Sequence, residues 1–277
     1  MTRRKCSGKK YTSERLEASD KIALVGAGGV ATSLGVALAQ AAAAPVAVWS
    51  RTREKALALA ERTGALACSE IEEIPQVDIV IISVADDAIG SVARRVAAHL
   101  PAALILHTAG SVAQDILREA GAVNYGVLYP MQTFSSSRIV DFTKVTVFVE
   151  ACNELLAKKA DAVARTLGAT VVRASSEQRR FLHIAAVFAC NFANAAYTMA
   201  AQLLKEHNLP FEAMLPLIDE TAAKVHRLHP VDAQTGPAAR GDHSVMNAHK
   251  AMLPEQLKNI YTAMSDYIAA AQQTKKL

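Results

Sequence analysis

The chain predicts an α/β domain with a doubly wound, mostly parallel sheet, followed by an all-α domain. Three observations carry that expectation. Short β-branched runs alternate with alanine-rich helical stretches from Lys21 to about Ala174. After Ala174 the strand pattern stops and only helical patterns remain. A glycine-rich turn stands directly after the first run. Alternation of this kind gives a parallel sheet covered by helices on both faces.

The runs expected as strands are 22–25, 46–49, 77–83, 103–107, 123–129, 145–149 and 170–173. Several are apolar throughout instead of alternating, as strands buried on both faces should be. Helices are expected between them at 30–43, 53–62, 88–98 and 154–167. Beyond the sheet, Ser175 and Gln178 make a capping box, which opens a helix of about 30 residues ending near Asn208-Leu209-Pro210. Further helices are expected at 212–228, with Pro216 as an early kink, and at 244–252 and 254–273. A loop holding glycine and proline spans 230–243.

Composition narrows the function classes. The chain is 51% hydrophobic and 20% charged, a globular balance, with a net charge of only +4. The first twenty residues hold six bases against three acids, so the body is close to neutral and nucleic acid is not an expected partner. That first stretch has no apolar core and reads as a disordered basic tail, not as a secretory signal. Cys6, Cys68, Cys152 and Cys190 show no metal-ligand spacing, which speaks against a zinc site or a disulfide framework and fits a cytoplasmic protein. Cys190 reads as a small core residue of an apolar helix. Residues 181–204 carry no formal charge, yet His183, Asn191, Asn194, Thr198 and Gln202 make them too polar for a lone membrane span.

The turn reads Gly26-Ala27-Gly28-Gly29-Val30-Ala31, a G-x-G-x-x-A pattern between a strand and a helix. Gly26 permits the tight turn, Gly28 lets a pyrophosphate approach the backbone, and Ala31 is small enough for close helix–strand packing. The helix start offers free N–H groups and partial positive charge to the phosphates, with Gly29 and Val30 in its first turn. The first domain, 21–174, is therefore expected to be of Rossmann type. At the end of the second strand, where an NAD site places an acid, the chain reads Trp49-Ser50-Arg51-Thr52-Arg53. Hydroxyl and guanidinium donors suit the extra phosphate of NADP, which a carboxylate would repel; an ordinary helix start is the other reading.

Two further strand ends, Ser83-Val84-Ala85 with Asp86-Asp87 and His107-Thr108-Ala109-Gly110-Ser111, are expected to face the nicotinamide. Asp86 or Asp87 reads as a helix N-cap. On the long helix, His183, Asn194, Lys205, Arg180, Thr198, Asn191 and Gln202 fall within about 100° at 100° per residue, leaving three apolar sides to be covered. The 175–277 domain is too small to supply that cover, so a homodimer through the helical domain is expected. His183 and Asn191 either line a cleft as the catalytic pair or belong to a solvent stripe. Arg240, with Asp242 to fix it, either binds an anionic group or forms an exposed ion pair.

From Lys21 to about Gln273 the chain resembles an incompletely characterised family of Rossmann-like oxidoreductases, whose second half is a helical domain of unknown function. The residues that carry this are the 26–31 turn, His107-Thr108-Ala109-Gly110-Ser111, Tyr129-Pro130-Met131-Gln132-Thr133-Phe134-Ser135, His183, Ala185, Ala186, Asn191, and Gly236-Pro237 with Arg240-Gly241-Asp242. The wider group includes pyrroline-5-carboxylate reductase, deazaflavin-dependent NADP reductase, prephenate dehydrogenase and the β-hydroxyacid dehydrogenases. The resemblance implies a C-terminal domain like that of 6-phosphogluconate dehydrogenase. It also implies an NADP-linked redox enzyme, often dimeric, whose small-molecule substrate binds between the domains. Ser111, Tyr129, Gln132, Arg240 and Asp242 are the candidate substrate residues. Two departures block a closer transfer. Val187 stands where β-hydroxyacid dehydrogenases carry lysine, and Tyr129-Pro130 replaces the His-Pro of prephenate dehydrogenases. A non-catalytic NADP-binding sensor and a hydride donor to flavins are the alternatives.

Overall fold

The computed structural model describes residues 16–135 and 137–274. The chain forms two compact units, Met1–Cys190 and Asn191–Leu277. In the first, eight strands make one sheet: β1 Ile22–Val25, β2 Ala47–Trp49, β3 Leu66–Cys68, β4 Ile79–Ile82, β5 Leu104–His107, β6 Asn124–Met131, β7 Thr146–Ala151 and β8 Thr170–Arg173. Their order is β3-β2-β1-β4-β5-β6-β7-β8. Every pairing is parallel except β6 with β7.

β1 shows why the runs are apolar throughout. Ile22 and Leu24 enter the core on one face, Ala23 and Val25 the core on the other. The helices that cover these faces are α1 Gly29–Gln40, α2 Arg53–Thr63, α3 Ile89–His99, α4 Asp115–Glu119 and α5 Glu154–Thr166. Because β2 and β4 flank β1 on opposite sides, the strand order reverses there, and the crevice at their carboxyl ends is where such sheets hold ligands. Pro130 is tolerated inside β6 because β5 pairs only with Asn124, Tyr125, Gly126 and Val127. Past Val127, β6 needs donors on one side alone.

Several elements differ from the sequence expectation. β3 and α4 carry three and five residues, too few to show a period. Residues 16–20, expected with the tail, are anchored: Leu16 packs against the core, its N–H donates to Thr166 Oγ1 (3.1 Å), and Asp20 pairs with Lys159 at 3.3 Å. The rest of the expected tail lies outside the described residues.

Ser175 and Gln178 form the expected capping box at the start of α6 Ser176–Ala186. A π-helical stretch, Val187–Phe192, joins α6 to α7 Ala193–Glu206. Its wider turn takes α7 out of phase with a wheel drawn at 100° per residue. Cys190 lies on this stretch and is exposed, not a core residue.

The second unit holds α7, α8 Leu215–Val225, α9 Pro230–Ala233, α10 Pro237–Arg240, α11 His243–Met252 and α12 Glu255–Thr274. Pro216 sits in the first turn of α8, where its missing N–H costs nothing, so it opens the helix instead of kinking it. Residues 230–243 are not simply a loop, since α9 and α10 form there, and α10 packs on α11 and α12. Among the described residues of this unit only Ala238 is buried.

Candidate functional site

A cavity of about 510 Å³ opens over the turn between β1 and α1, within the 300–1,000 Å³ range typical of small-molecule sites. Gly26, Gly28, Gly29 and Val30 line it, and each glycine has a different reason to be there. Gly26 has φ +124°, and a side chain on it would overlap the Ser83 carbonyl where β4 ends. A Cβ on Gly29 would sit 3.1 Å from the Ser135 carbonyl carbon and 3.2 Å from that of Phe134. Gly28 is the opposite case: nothing lies within 4 Å of its missing Cβ, so the space is open to a ligand. Gly28 is also the N-cap of α1 and makes no side-chain cap. The first N–H with a helical acceptor is that of Thr32, bonded to the Gly28 carbonyl at 2.9 Å. The preceding N–H groups of the first turn therefore have no acceptor within the helix. Ala31 is fully buried and does not line the cavity; it lets α1 lie close on the sheet.

Ser50, Arg51 and Thr52 form the second wall, as they leave β2 for α2. Ser50 Oγ accepts the Thr52 N–H at 3.3 Å, fixing this turn. Lys55, one helical turn after Arg51, lines the same wall. Neither cation makes a hydrogen bond or ion pair among the described residues. Trp49 borders the cavity while its Nε1 donates to the Ser69 carbonyl (3.1 Å) and Arg95 stacks over its ring at 5.9 Å. Ser83, Val84 and Ala85 close the third side.

Asp86 and Asp87 are not N-caps. Ala85 holds that place before a short 3-10 turn, and Asp86 instead accepts the Ser111 hydroxyl at 2.5 Å, tying the ends of β4 and β5 together. His107, expected beside the cofactor, is fully buried and does not line the cavity; nor do Thr108 and Ala109. Its Nδ1 accepts the Ala109 N–H (3.2 Å), so the neutral ring carries its proton on Nε2. Burial first, and the Arg179 charge second, push its pKa down to about 3. It cannot serve as a proton donor near neutrality, and it acts as an internal anchor for the turn that follows β5.

That turn meets two other elements at Gly110. A Cβ there would lie 2.7 Å from Tyr129 Cζ and 3.0 Å from His183 Nδ1. Tyr129, on β6, and His183, on α6, face each other edge to face, with Oη and Nδ1 3.4 Å apart. Burial raises the Tyr129 pKa, and the nearby Arg179 charge opposes that rise. Gln132 is exposed, and its Oε1 accepts from Thr133 N and Oγ1, leaving the amide nitrogen for other contacts.

Residues 145–268 match a family described as a domain of unknown function (DUF2520), and residues 10–104 match one described as shikimate/quinate 5-dehydrogenase. A crystal structure described as a putative NADP oxidoreductase from Bacteroides fragilis is 43% identical, over 92% of this chain and 100% of that one, with a TM-score of 0.85. The chain belongs to this Rossmann-like oxidoreductase family. More distant structures share the fold. An imine reductase from Myxococcus stipitatus in complex with NADP+ is 19% identical, over 92% of this chain and 94% of that one, with a TM-score of 0.66. The pyrroline carboxylate reductase of Plasmodium falciparum, with NADP bound, is 15% identical, over 92% and 99%, at 0.61. No curated protein matches.

In this member of the oxidoreductase family the remaining sequence candidates lie in the second unit. Asn191 is exposed at its first position, and Arg240 is exposed at the end of α10. Asp242 does not fix Arg240; its carboxylate caps α11 by accepting the Val245 N–H at 3.2 Å. Sequence reasoning missed Lys55, although its place four residues after Arg51 is a readable signal. It also missed Arg179 and Glu150, which meet across 29 residues at 2.8 Å and leave no local pattern.

Proposed function

We propose that this oxidoreductase uses NADPH to reduce, or NADP to oxidise, a small polar metabolite at a C=O or C=N carbon. The observation that carries this reading is the cavity over the β1–α1 turn. Its residues fit the dinucleotide: a glycine with open space, first-turn N–H groups without helical acceptors, and two cations with no ion pair among the described residues. Gly28, Gly29 and Val30 would hold the pyrophosphate, and Ser50, Arg51, Thr52 and Lys55 the 2′-phosphate. Ser83, Val84 and Ala85 lead toward the nicotinamide end, with the Thr108–Ala109 backbone beyond them.

When bound, the nicotinamide supplies or accepts the hydride. The chain's own task is then the proton. Tyr129 Oη and His183 Nδ1 are close enough to share one, and His183, held by Tyr129, exchanges it with the reacting oxygen or nitrogen. Ser111 and Gln132 offer polar contacts to the substrate, and Asn191 and Arg240 are the second unit's candidates.

The helical half is proposed to be covered by a second copy of the chain. Among the described residues, fifteen of the nineteen strongly exposed large apolar ones follow Ser175 and only Ala238 of the second unit is buried, so this half lacks a core of its own. The helix Ser176–Glu206 is long and apolar enough to cross a membrane by length and composition. Its polar residues and its apolar ridge suit a subunit contact in a cytoplasmic protein better.

The direct test is a titration with NADPH and NADH, read from the sole tryptophan, Trp49, at the cavity wall. NADPH should bind more tightly, and Arg51→Ala should erase the preference, since a charged hydrogen bond contributes about 1.5–3 kcal/mol. Binding of neither nucleotide would end the reading. His183→Ala should stop NADPH oxidation in a panel of carbonyls and imines while NADPH still binds. Tight binding with no turnover on any substrate would favour a sensor.

A further inference from the structure

Arg179 is the largest fully buried side chain among the described residues, and its charge is felt at Tyr129. Its Nη1 donates to three carbonyls of one turn: Ala109 at 3.1 Å, Gly110 at 3.4 Å and Val112 at 2.9 Å. Its Nη2 donates to Glu150 Oε2 (2.8 Å), on β7, and to Ser176 Oγ (3.0 Å). The remaining contacts close the network. Ser176 Oγ donates to Glu150 Oε2 (2.7 Å), and Gln114 gives its side-chain N–H to Glu150 Oε1 and its backbone N–H to Ser176 Oγ, both at 3.1 Å.

Stability alone does not explain a cation here. A buried ion pair loses the hydration of both charges, and apolar side chains of similar volume often serve a fold as well or better. Arg179 even keeps an Nε with no partner. What the guanidinium adds is geometry. A planar fork with fixed donor directions draws three carbonyls to one side. In trans peptides the N–H groups that follow these carbonyls, those of Gly110, Ser111 and Ala113, then point the other way. From beneath, the same turn is held by Thr108 N–H on the Ile82 carbonyl (3.2 Å) and Ala109 N–H on His107 Nδ1 (3.2 Å). The turn has no regular hydrogen-bonded structure of its own, and a Cβ on Gly110 within it would run into both Tyr129 and His183. His183 stands one helical turn after Arg179 on the same face of α6.

We propose that Arg179 is the positioning residue of this site: its buried guanidinium, held by Glu150 and Ser176, fixes the Ala109–Val112 backbone against the Tyr129–His183 pair and so shapes the nicotinamide end. It touches neither cofactor nor substrate. The proposal rests on the NADP reading above, and its test separates the two. NADPH and adenosine 2′,5′-bisphosphate, which lacks the nicotinamide half, are titrated against the wild-type chain and Arg179→Lys. Lysine keeps the charge but cannot span three carbonyls and a carboxylate.

NADPH affinity should fall about tenfold in the variant, the equivalent of one good polar contact, while the bisphosphate changes less than about twofold. Ser176→Ala, which leaves the ion pair in place, should give the same split at smaller size, and it stands in should Arg179→Lys fail to fold. A parallel loss for both ligands would mean a merely structural role and overturn the proposal, as would no change for either. Wild-type binding of the bisphosphate but not of NADPH would overturn it too. Wild-type binding of neither would remove the cofactor reading and the proposal with it.

Discussion

Acidification offers a quantitative test of how β5 is anchored. His107 ends that strand fully buried, with its folded-state pKa pushed down to about 3 by burial and by the Arg179 charge, from an ordinary value of 6.5. Well above pH 6.5 the ring is neutral whether the chain is folded or not, and it adds no pH dependence. Between pH 6.5 and 3 the unfolded chain takes up a proton that the folded chain refuses, so stability is lost as pH falls. The slope is about 1.4 kcal/mol per pH unit, hence about 2 kcal/mol between pH 6.5 and 5.

Other groups titrate in the same window, so the measurement must be a difference. Urea unfolding followed by Trp49 fluorescence, at pH 7, 6 and 5, should show the wild-type chain losing about 2 kcal/mol more than His107→Asn, whose side-chain oxygen can still accept the Ala109 N–H. Parallel losses in the two proteins would refute the argument that a neutral imidazole is locked under the β5 turn. A histidine signal titrating near 6.5 at this position in NMR would do the same.

Two further outcomes are expected. Gly26→Ala should lower stability by more than about 3 kcal/mol in thermal or urea unfolding, since it combines a φ of +124° with an overlap on the Ser83 carbonyl; Gly28→Ala should unfold like the wild type yet lose NADPH binding. Light scattering should give a mass of twice 29.5 kDa, and Phe181→Glu with Ile184→Glu, at 67% and 52% exposed positions on one ridge of α6, should halve it. A wild-type chain that is monomeric at micromolar concentration would remove the proposed subunit contact, and recovery in a membrane fraction would replace it.

Much of the fold was legible because its signals are local. The β1 run, the glycine turn and the Ser175–Gln178 capping box each lie within a few residues. What was not legible depends on partners far along the chain. Gly29 looks like a phosphate contact in sequence, yet the backbone of Phe134 and Ser135, more than a hundred residues on, already crowds the place of a side chain there. Asp86 looks like an N-cap until Ser111 takes its carboxylate. His107 looks like a site residue because it ends a strand, and only its complete burial shows that its ring points inward. The π-helical stretch has no composition of its own, and so the helical wheel drifts unnoticed from Val187 onward.

The same contrast sorts the charges that matter. A cation meant for a ligand must be kept from internal anions, or binding would first have to break an ion pair. Among the described residues, Arg51 and Lys55 meet that condition on the cavity wall. Arg179 meets the reverse one. Four of its acceptors are carbonyl or carboxylate oxygens of the protein itself, and its side chain is out of reach of solvent. Removing Arg51 should therefore change which nucleotide binds and leave the fold alone. Altering Arg179 should leave the nucleotide preference alone and change how well the nicotinamide half is held. Sequence inspection would rank the two arginines together; the internal partners of Arg179, and their lack at Arg51 among the described residues, are what suit the two to the different roles proposed.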